Sequence, residues 1–540
     1  MVRGAWLLGL AACGGGDGTA PIAEVSPPRA PPPAVQAGAP TLRRLTTAQY
    51  QATLADLFGP TLILPTALEP DVPVDGMVSI GSAAAGLSAR GVEQYEDAAW
   101  DVAAQLADPA VAARVFTCRG EASVDEACAR EIVTAFGQRV YRRPLEPAEV
   151  DALVAVAASA GTTFDSFDVG IQYAVGAMLQ SPAFLYRVEL GEPDPDAPGA
   201  RRYTSWEMAS RLSYLLWQTM PDDALFDAAA SGALVTDAGL ADAVDRLLAD
   251  PRARTGVRAL FEDILQLGDD LDAVSKDPFV YNAWSVDLIA SAREQTLREI
   301  EARVIDDDAD WRGLLTSQRT FVDRRLAALY GVEAPVVDGF GEVDLPAAGG
   351  RRGLLGHASF LLLKSHATTT SVTRRGLYIQ ERLLCTDMPD PPAGLNTAIP
   401  EPSEDAPTMR DRVEVHLTVP ECAACHELMD PLGLGLENFD GVGQWRTTEN
   451  GVTIDASGAL AGVAFTDAWT LAQVVHDNPA LSPCLAEHIF EVATGRAPAE
   501  GEEDWMAWHT DGFADAGHRV QWLLRDLLLS PAFRQVGEVL

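Results

Sequence analysis

Apolar residues recur at three- and four-residue spacing along most of the chain, and runs that alternate apolar with polar are scarce. That spacing predicts helices, because residues i, i+3, i+4 and i+7 share one face of a 3.6-residue turn. In LRRLTTAQYQATLADLFG the pattern is helical from its start near Leu42: Thr46 or Thr47 offers a capping hydroxyl, Tyr50, Leu54 and Leu57 line one face, and Gly59 ends the run. AREIVTAFGQRVYRRPLEPAEVDALVAVAASA reads as two helices with a turn beginning at Pro144, the second opening on proline and acids. TSWEMASRLSYLLWQTM places Ser205 as cap, Glu207 near the first turn, and Met208, Leu212, Leu215 and Leu216 along one face. NAWSVDLIASAREQTLREIEARVI is a further long amphipathic helix, and NGVTIDASGAL, near 450–460, is the best hairpin candidate. The expected fold class is mainly α, a multidomain helical protein with a few short β-hairpins.

Two segments resemble each other. CAREIVTAF…YRRPLEPAEVD…LQSPAFLYR (128–187) and CLAEHIF…TGRAPAEGEED…LLSPAFRQV (484–536) share a cysteine-led helix, an Arg/Pro turn, acids and Ser-Pro-Ala-Phe. Duplication and convergence of helix-loop-helix units both account for this.

A chain of 540 residues exceeds what one core serves, so several domains are expected. An apolar fraction of 47% and a charged fraction of 22% are those of a globular protein rather than a disordered or membrane-embedded one. The 78 acidic against 40 basic side chains give a formal charge of −38, which repels a phosphate backbone and excludes nucleic acid as the expected partner. A solvated acidic surface, or one that docks a basic protein, fits this balance.

The N-terminus MVRGAWLLGLAACGGGDGTA carries Arg3, an apolar run from Ala5 to Ala12, and Cys13. The run is too short to span a bilayer and reads as a signal-peptide core over residues 1–12. LAAC looks like the lipobox of a bacterial lipoprotein, which makes Cys13 the lipidated first residue of the mature chain; a plain secretory signal cut elsewhere is the alternative. Residues 13–40, rich in Gly, Pro and Ala, are expected to form a flexible linker. Export implies an oxidising compartment, the periplasm or outer membrane. Setting aside Cys13, Cys422 and Cys425 leaves four of the seven cysteines. Cys118 pairs most simply with Cys128 across a short loop, and elimination leaves Cys385 with Cys484, a connectivity that spacing alone does not fix.

The chemistry concentrates in VPECAACHELMDPLGLGLENFDGVGQWR, residues 419–446. Cys422 and Cys425, three apart, lie on one side of a helical turn with His426, four from Cys422. Attachment of haem c needs two thiols facing two vinyl groups and an imidazole reaching the iron, and Cys-x-x-Cys-His supplies them. A zinc site normally brings a further Cys or His pair, which is missing nearby. A redox disulfide normally sits in a thioredoxin-like βαβ unit, also missing. Met429 is too close to His426 in sequence to reach the opposite haem face and reads as packing. Sixth-ligand candidates are His366, which we place first, with His357, His416, Met388, Met409 and Met506 behind it. Arg446 is a candidate partner for a haem propionate or an ordinary surface residue. No Gly-x-Gly-x-x-Gly, P-loop, His-Glu-x-x-His or Gly-x-Ser-x-Gly occurs, and the runs DDDADW and EGEED lack EF-hand spacing.

Taken in order, LRRLTTAQYQATLADLFG, YRRPLEPAEV, SPAFLYRVE, LSYLLWQTMPDDALF, TFVDRRLAALYGV, RRGLLGHASFLLLKSHATTTSVTRRG, the CAACH block and ATGRAP…SPAFR resemble the successive blocks of planctomycete-type cytochrome c-like multidomain surface proteins, which also occur in myxobacteria. The resemblance spans residues 41–540. It implies helical domains of unknown function at 41–110, 115–190 and 191–340, a cytochrome c-like module at 345–447, and a further helical domain at 448–540. Where a Ser-His-Pro-Thr-x-Thr-Ser-Pro run is expected, SHATTTSV has Ala367 and Val372 in place of prolines, so the loop around His366 loses their rigidity. The expected function is an exported, lipid-anchored c-type haem protein with an electron-transfer or redox role at the cell envelope and a redox partner protein, a basic one where the acidic surface docks it. A scaffold protein with a structural metal or haem, and a haem-dependent oxidoreductase, are the alternatives.

Overall fold

The computed structural model describes residues 29–538 apart from 85, 121, 348–349, 390–398 and 419. The signal segment and Cys13 lie outside the described residues.

Local signals set most helix starts. Thr46 caps helix Thr47–Phe58 in a reciprocal capping box with Gln49, and Gly59, at φ 91°, lets the chain leave. Glu146 and Glu149 form the same kind of box at the start of Pro147–Phe164. For helix Ser205–Leu216 the cap is Thr204, not Ser205. The Thr204 hydroxyl accepts from the Glu207 N–H at 3.2 Å, and the Glu207 carboxylate accepts from the Thr204 N–H at 2.7 Å. Only a cap three residues ahead of the glutamate closes both bonds.

The described strands form five two-stranded antiparallel sheets, so the fold is mainly α. Thr448–Glu449 and Val452–Thr453 close around Asn450 and Gly451, both at positive φ, in the Asn-Gly turn that hairpins favour. Thr41–Arg44 departs from the sequence reading. Leu42 to Arg44 precede the helix as a strand paired with Tyr186–Glu189. The partner lies far along the chain, so no local signal announces it. The end of the stretch read as a flexible linker is fastened as well: the Gln36 N–H donates to Glu502 at 3.0 Å and the Gly537 N–H to the Gly38 carbonyl at 2.7 Å.

Two large apolar cores result. One gathers Tyr50, Phe58, Val133, Phe136, Leu179 and Phe184 from the first third of the chain, and Tyr214 and Phe226 reach into it from the next helices. The larger runs from Met77 to Val536 and draws together the middle and C-terminal helices, with Met77 and Ile80 joining from the N-terminal part.

The two similar segments share one build. Helices Glu126–Tyr141, Pro147–Phe164, Phe167–Leu179 and Pro182–Leu185 are matched by Leu481–Thr494, Glu503–Asp515, Val520–Leu529 and Pro531–Arg534. Each first helix ends on a left-handed residue, Arg142 or Gly495. Next comes an arginine forked onto a glutamate six residues on, Arg143 to Glu149 at 2.8 Å for both bonds and Arg496 to Glu502 at 2.7 and 2.9 Å. Cys118 is bonded to Cys128, and Cys385 to Cys484, so each first helix also carries a disulfide.

The helix that carries the Cys-x-x-Cys-His motif, Pro420–Leu434, crosses helix Val372–Tyr378 at backbone contact. Gly376 sits against the Met429 carbonyl and Gly433 against the Val372 carbonyl. A Cβ at either place would overlap a backbone atom, which cannot swing aside as a side chain can. We expect Gly376→Ala to destabilise the protein by at least ~1–3 kcal/mol, seen as a lower thermal unfolding midpoint. An unchanged midpoint would contradict this packing.

Candidate functional site

Cys422, Cys425 and His426 are half-buried on helix Pro420–Leu434, and both thiols are free. Below them Met429 is buried, as packing requires of it. A small core of Val372, Met409, Val413 and Leu434 seats the neighbouring helix, Met409–Thr418. That helix is also hung from Glu449, whose carboxylate accepts from Arg412 at 2.6 Å and from the Met409 N–H at 2.7 Å.

The imidazole of His426 is oriented by Asp430, one turn on. Nδ1 lies 2.8 Å from the Asp430 carboxylate, which is sealed from solvent and accepts at its other oxygen from the Thr373 hydroxyl at 2.8 Å. A buried carboxylate facing Nδ1 places the ring proton there and leaves the lone pair on Nε2, where no hydrogen bond reaches it among the described residues. Helix packing also brings His416 beside His426, with ring centroids 4.2 Å apart and its Nδ1 3.4 Å from the same Asp430 oxygen.

The donor set fits covalently held haem: two thiols outside any disulfide, with an imidazole whose outer nitrogen is unengaged. His416, His426 and Asp430, with ligand atoms within 4.8 Å of one another, would also suit a metal ion.

The other candidate residues lie elsewhere. His366 sits in the turn 365–370, where its N–H donates to the Thr369 carbonyl at 2.9 Å, and it does not join the His416–His426 cluster. His357 is a buried core residue between Thr296 and Glu299, each 3.0 Å away. Met506 packs on the larger core, Met409 lies in the small core beneath the site, and Met388 is half-buried. Arg446 is engaged by protein carboxylates, Glu437 at 2.7 Å and Glu449 at 3.9 Å.

Sequence reasoning missed Asp430, although a His and an Asp four apart on one helix is a readable signal. It also missed Arg375. This fully buried guanidinium donates to the carbonyls of Leu436 and Phe439 at 2.9 Å and of Asp440 at 2.8 Å, and pairs with buried Glu437 at 3.4 Å.

Comparison with protein families places these residues in context. The model PSCyt3, protein of unknown function (DUF1588), matches residues 351–449, which hold the whole site. PSD4 (DUF1592) matches 203–332, PSD5 (DUF1595) 128–189 and PSD3 (DUF1587) 43–108, each likewise a protein of unknown function. All four are planctomycete cytochrome c-associated domain families. The chain belongs to the planctomycete-type multidomain family. No curated protein and no solved structure matches it. Among the described residues of this planctomycete-type protein, no helix is long and apolar enough to cross a membrane.

In this family member the turn at His366 is held without the two prolines. The Lys276 ammonium, buried, donates to the Ser365 carbonyl at 2.8 Å, the Ser365 hydroxyl at 2.6 Å and the His366 carbonyl at 3.0 Å. Burial first, then the charges of Arg375 and Arg374, pull its pKa down to about 7. The native chain then releases this proton near pH 7, whereas an unfolded lysine keeps it until about pH 10.4. Between those limits the unfolded state binds more protons, so this residue makes stability rise with pH. We expect Lys276→Met to lose ~1–3 kcal/mol from the abandoned carbonyls and to flatten the rise between pH 7 and 9 in denaturant titrations. An unaltered slope would show that Lys276 does not titrate there.

Proposed function

We propose that the protein is an exported c-type haem protein, tethered through lipid on Cys13, with an electron-transfer or redox role at the cell envelope. One observation carries the reading: two thiols left out of disulfide bonding sit on the same helical face as an imidazole already oriented through Nδ1. The match of residues 351–449 to a cytochrome c-associated family supports it. Haem c, when bound, supplies a one-electron iron couple.

In this reading Cys422 and Cys425 hold the porphyrin through thioethers and His426 offers Nε2 to the metal. Asp430 fixes the tautomer and the ring plane, and Thr373 fixes Asp430. An acidic surface, set by the formal charge of −38, steers a basic redox partner.

The close grouping of His416, His426 and Asp430 favours a second reading, a metal-binding surface or scaffold protein. One preparation separates the two. Made in a host that matures c-type cytochromes, the protein is expected to show a Soret band, to stain for haem after denaturation, and to exceed its polypeptide and lipid mass by one porphyrin. Joint replacement of Cys422 and Cys425 by alanine is expected to abolish the staining while the disulfides and helical content persist. Asp430→Asn is expected to keep the covalent attachment and raise the midpoint potential, because a less basic imidazole favours ferrous iron. A mature chain without porphyrin mass, holding a metal ion that is lost in His426→Ala, would overturn the haem reading in favour of the second.

A further inference from the structure

A cavity of about 300 Å³ opens among the strand Thr41–Arg44, helices Val78–Ala84, Ser205–Leu216 and Ala253–Ile264, and the end of Leu481–Thr494. It lies wholly outside residues 351–449 and has the size of a small-molecule site.

Its inner wall is basic. Arg43 and Arg187, 3% and 5% exposed, both line it. Three buried guanidiniums, Arg43, Arg187 and Arg211, share one buried carboxylate, Glu189, and Arg211 takes the direct bond to it. Arg43 spends its outer nitrogens on the carbonyls of Ala493, Ser79 and Val492, each at 3.1 Å. Arg187 has no such outlet: its nearest carboxylate oxygen is 3.7 Å away on Glu189, its Nε is buried without a partner, and no hydrogen bond engages it among the described residues. The hydroxyl of Ser79, also on the wall, is buried and unpartnered. A buried cation with unused donors is costly unless something anionic meets it.

The outer rim has the opposite sign. Asp269 and Asp270 are exposed there and Glu262 stands beside them, half-buried and 3.4 Å from Arg293. Asp71 and Asp263 also line the cavity, but Arg44 and the Thr47 N–H engage the first, and the N–H groups of Val78 and Ser79 engage the second. A simple anion would be repelled at such a mouth, whereas a molecule negative at its leading end and positive at its trailing end meets the right sign at both.

We propose that this cavity binds a small organic zwitterion, its carboxylate seated on Arg187 beside Arg43 and its ammonium among the carboxylates of Glu262, Asp269 and Asp270. This goes beyond the haem reading and does not rest on it. Calorimetry on the full mature chain, with glycine, 5-aminovalerate, valerate and amylamine as probes, tests it. We expect at least one of the two amino acids to bind, and valerate and amylamine to bind at least about tenfold more weakly, since each lacks one charge pair. Arg187→Met is expected to abolish binding. The Asp269→Asn, Asp270→Asn double variant, altered only at exposed positions, is expected to weaken the amino acid and tighten valerate, and it decides the matter if Arg187→Met does not fold. Absence of binding by both amino acids, binding undiminished in Arg187→Met, valerate binding as well as its amino counterpart, or a double variant that binds like the parent would each overturn the proposal.

Discussion

The ion pair of Arg375 and Glu437 is the constraint on which the site hangs. Past the end of helix Pro420–Leu434 the chain is irregular: the carbonyls of Leu436 and Asp440 each accept one turn bond, from the Phe439 N–H at 2.9 Å and the Gly443 N–H at 3.2 Å, and no turn bond reaches that of Phe439 among the described residues, where a buried carbonyl without a partner is costly. Arg375, reaching across from helix Val372–Tyr378, supplies three of its donors to them. Glu437 balances its charge and also accepts from the Thr370 hydroxyl at 2.9 Å and from Arg446 at 2.7 Å. Loss of Glu437 would leave the buried Arg375 charge without its ion-pair partner, at a cost of about 3–5 kcal/mol, whereas Glu437 without Arg375 would keep Arg446. The register of the two helices follows, and with it the meeting of Thr373 and Asp430 that orients His426.

What the sequence made legible is what short-range physics decides. Helices with a strong apolar stripe, the cap at Thr46 and a hairpin near 450–460 all depend on residues a few positions apart. The mainly α class follows from many such segments. Distant partners defeat the same reasoning. The strand Thr41–Arg44 exists because Tyr186–Glu189 comes alongside, and the fastening of Gln36 requires Glu502. At the site, Cys422, Cys425 and His426 announce themselves by spacing. The adjacency of His416 is set instead by how Met409–Thr418 packs, which no spacing encodes. The fastening of the turn that carries His366 is equally hidden from spacing, because Lys276, which holds it, is distant in sequence.

The chain spends its cations in a way its net charge of −38 conceals. Several arginines are buried and serve backbone rather than surface. Arg142 donates to the carbonyls of Val140, Ala183, Phe184 and Tyr186 at 2.8–3.2 Å. Arg351 joins Gly356 to Gly443, and Arg375 closes the end of the site helix. A guanidinium suits this work because its five donors form a planar fork and it stays charged at any working pH, whereas a lysine in the same place, like Lys276, is driven toward neutrality by burial. Irregular connections in a helical protein leave many carbonyls unpaired, and one arginine can satisfy several at once. Arg187 stands out against this pattern: equally buried, it serves no carbonyl and faces a cavity instead. Arg43, Arg142, Arg351 and Arg375 act as backbone ties and Arg211 is bonded to Glu189, and against these the idle donors of Arg187 take their meaning.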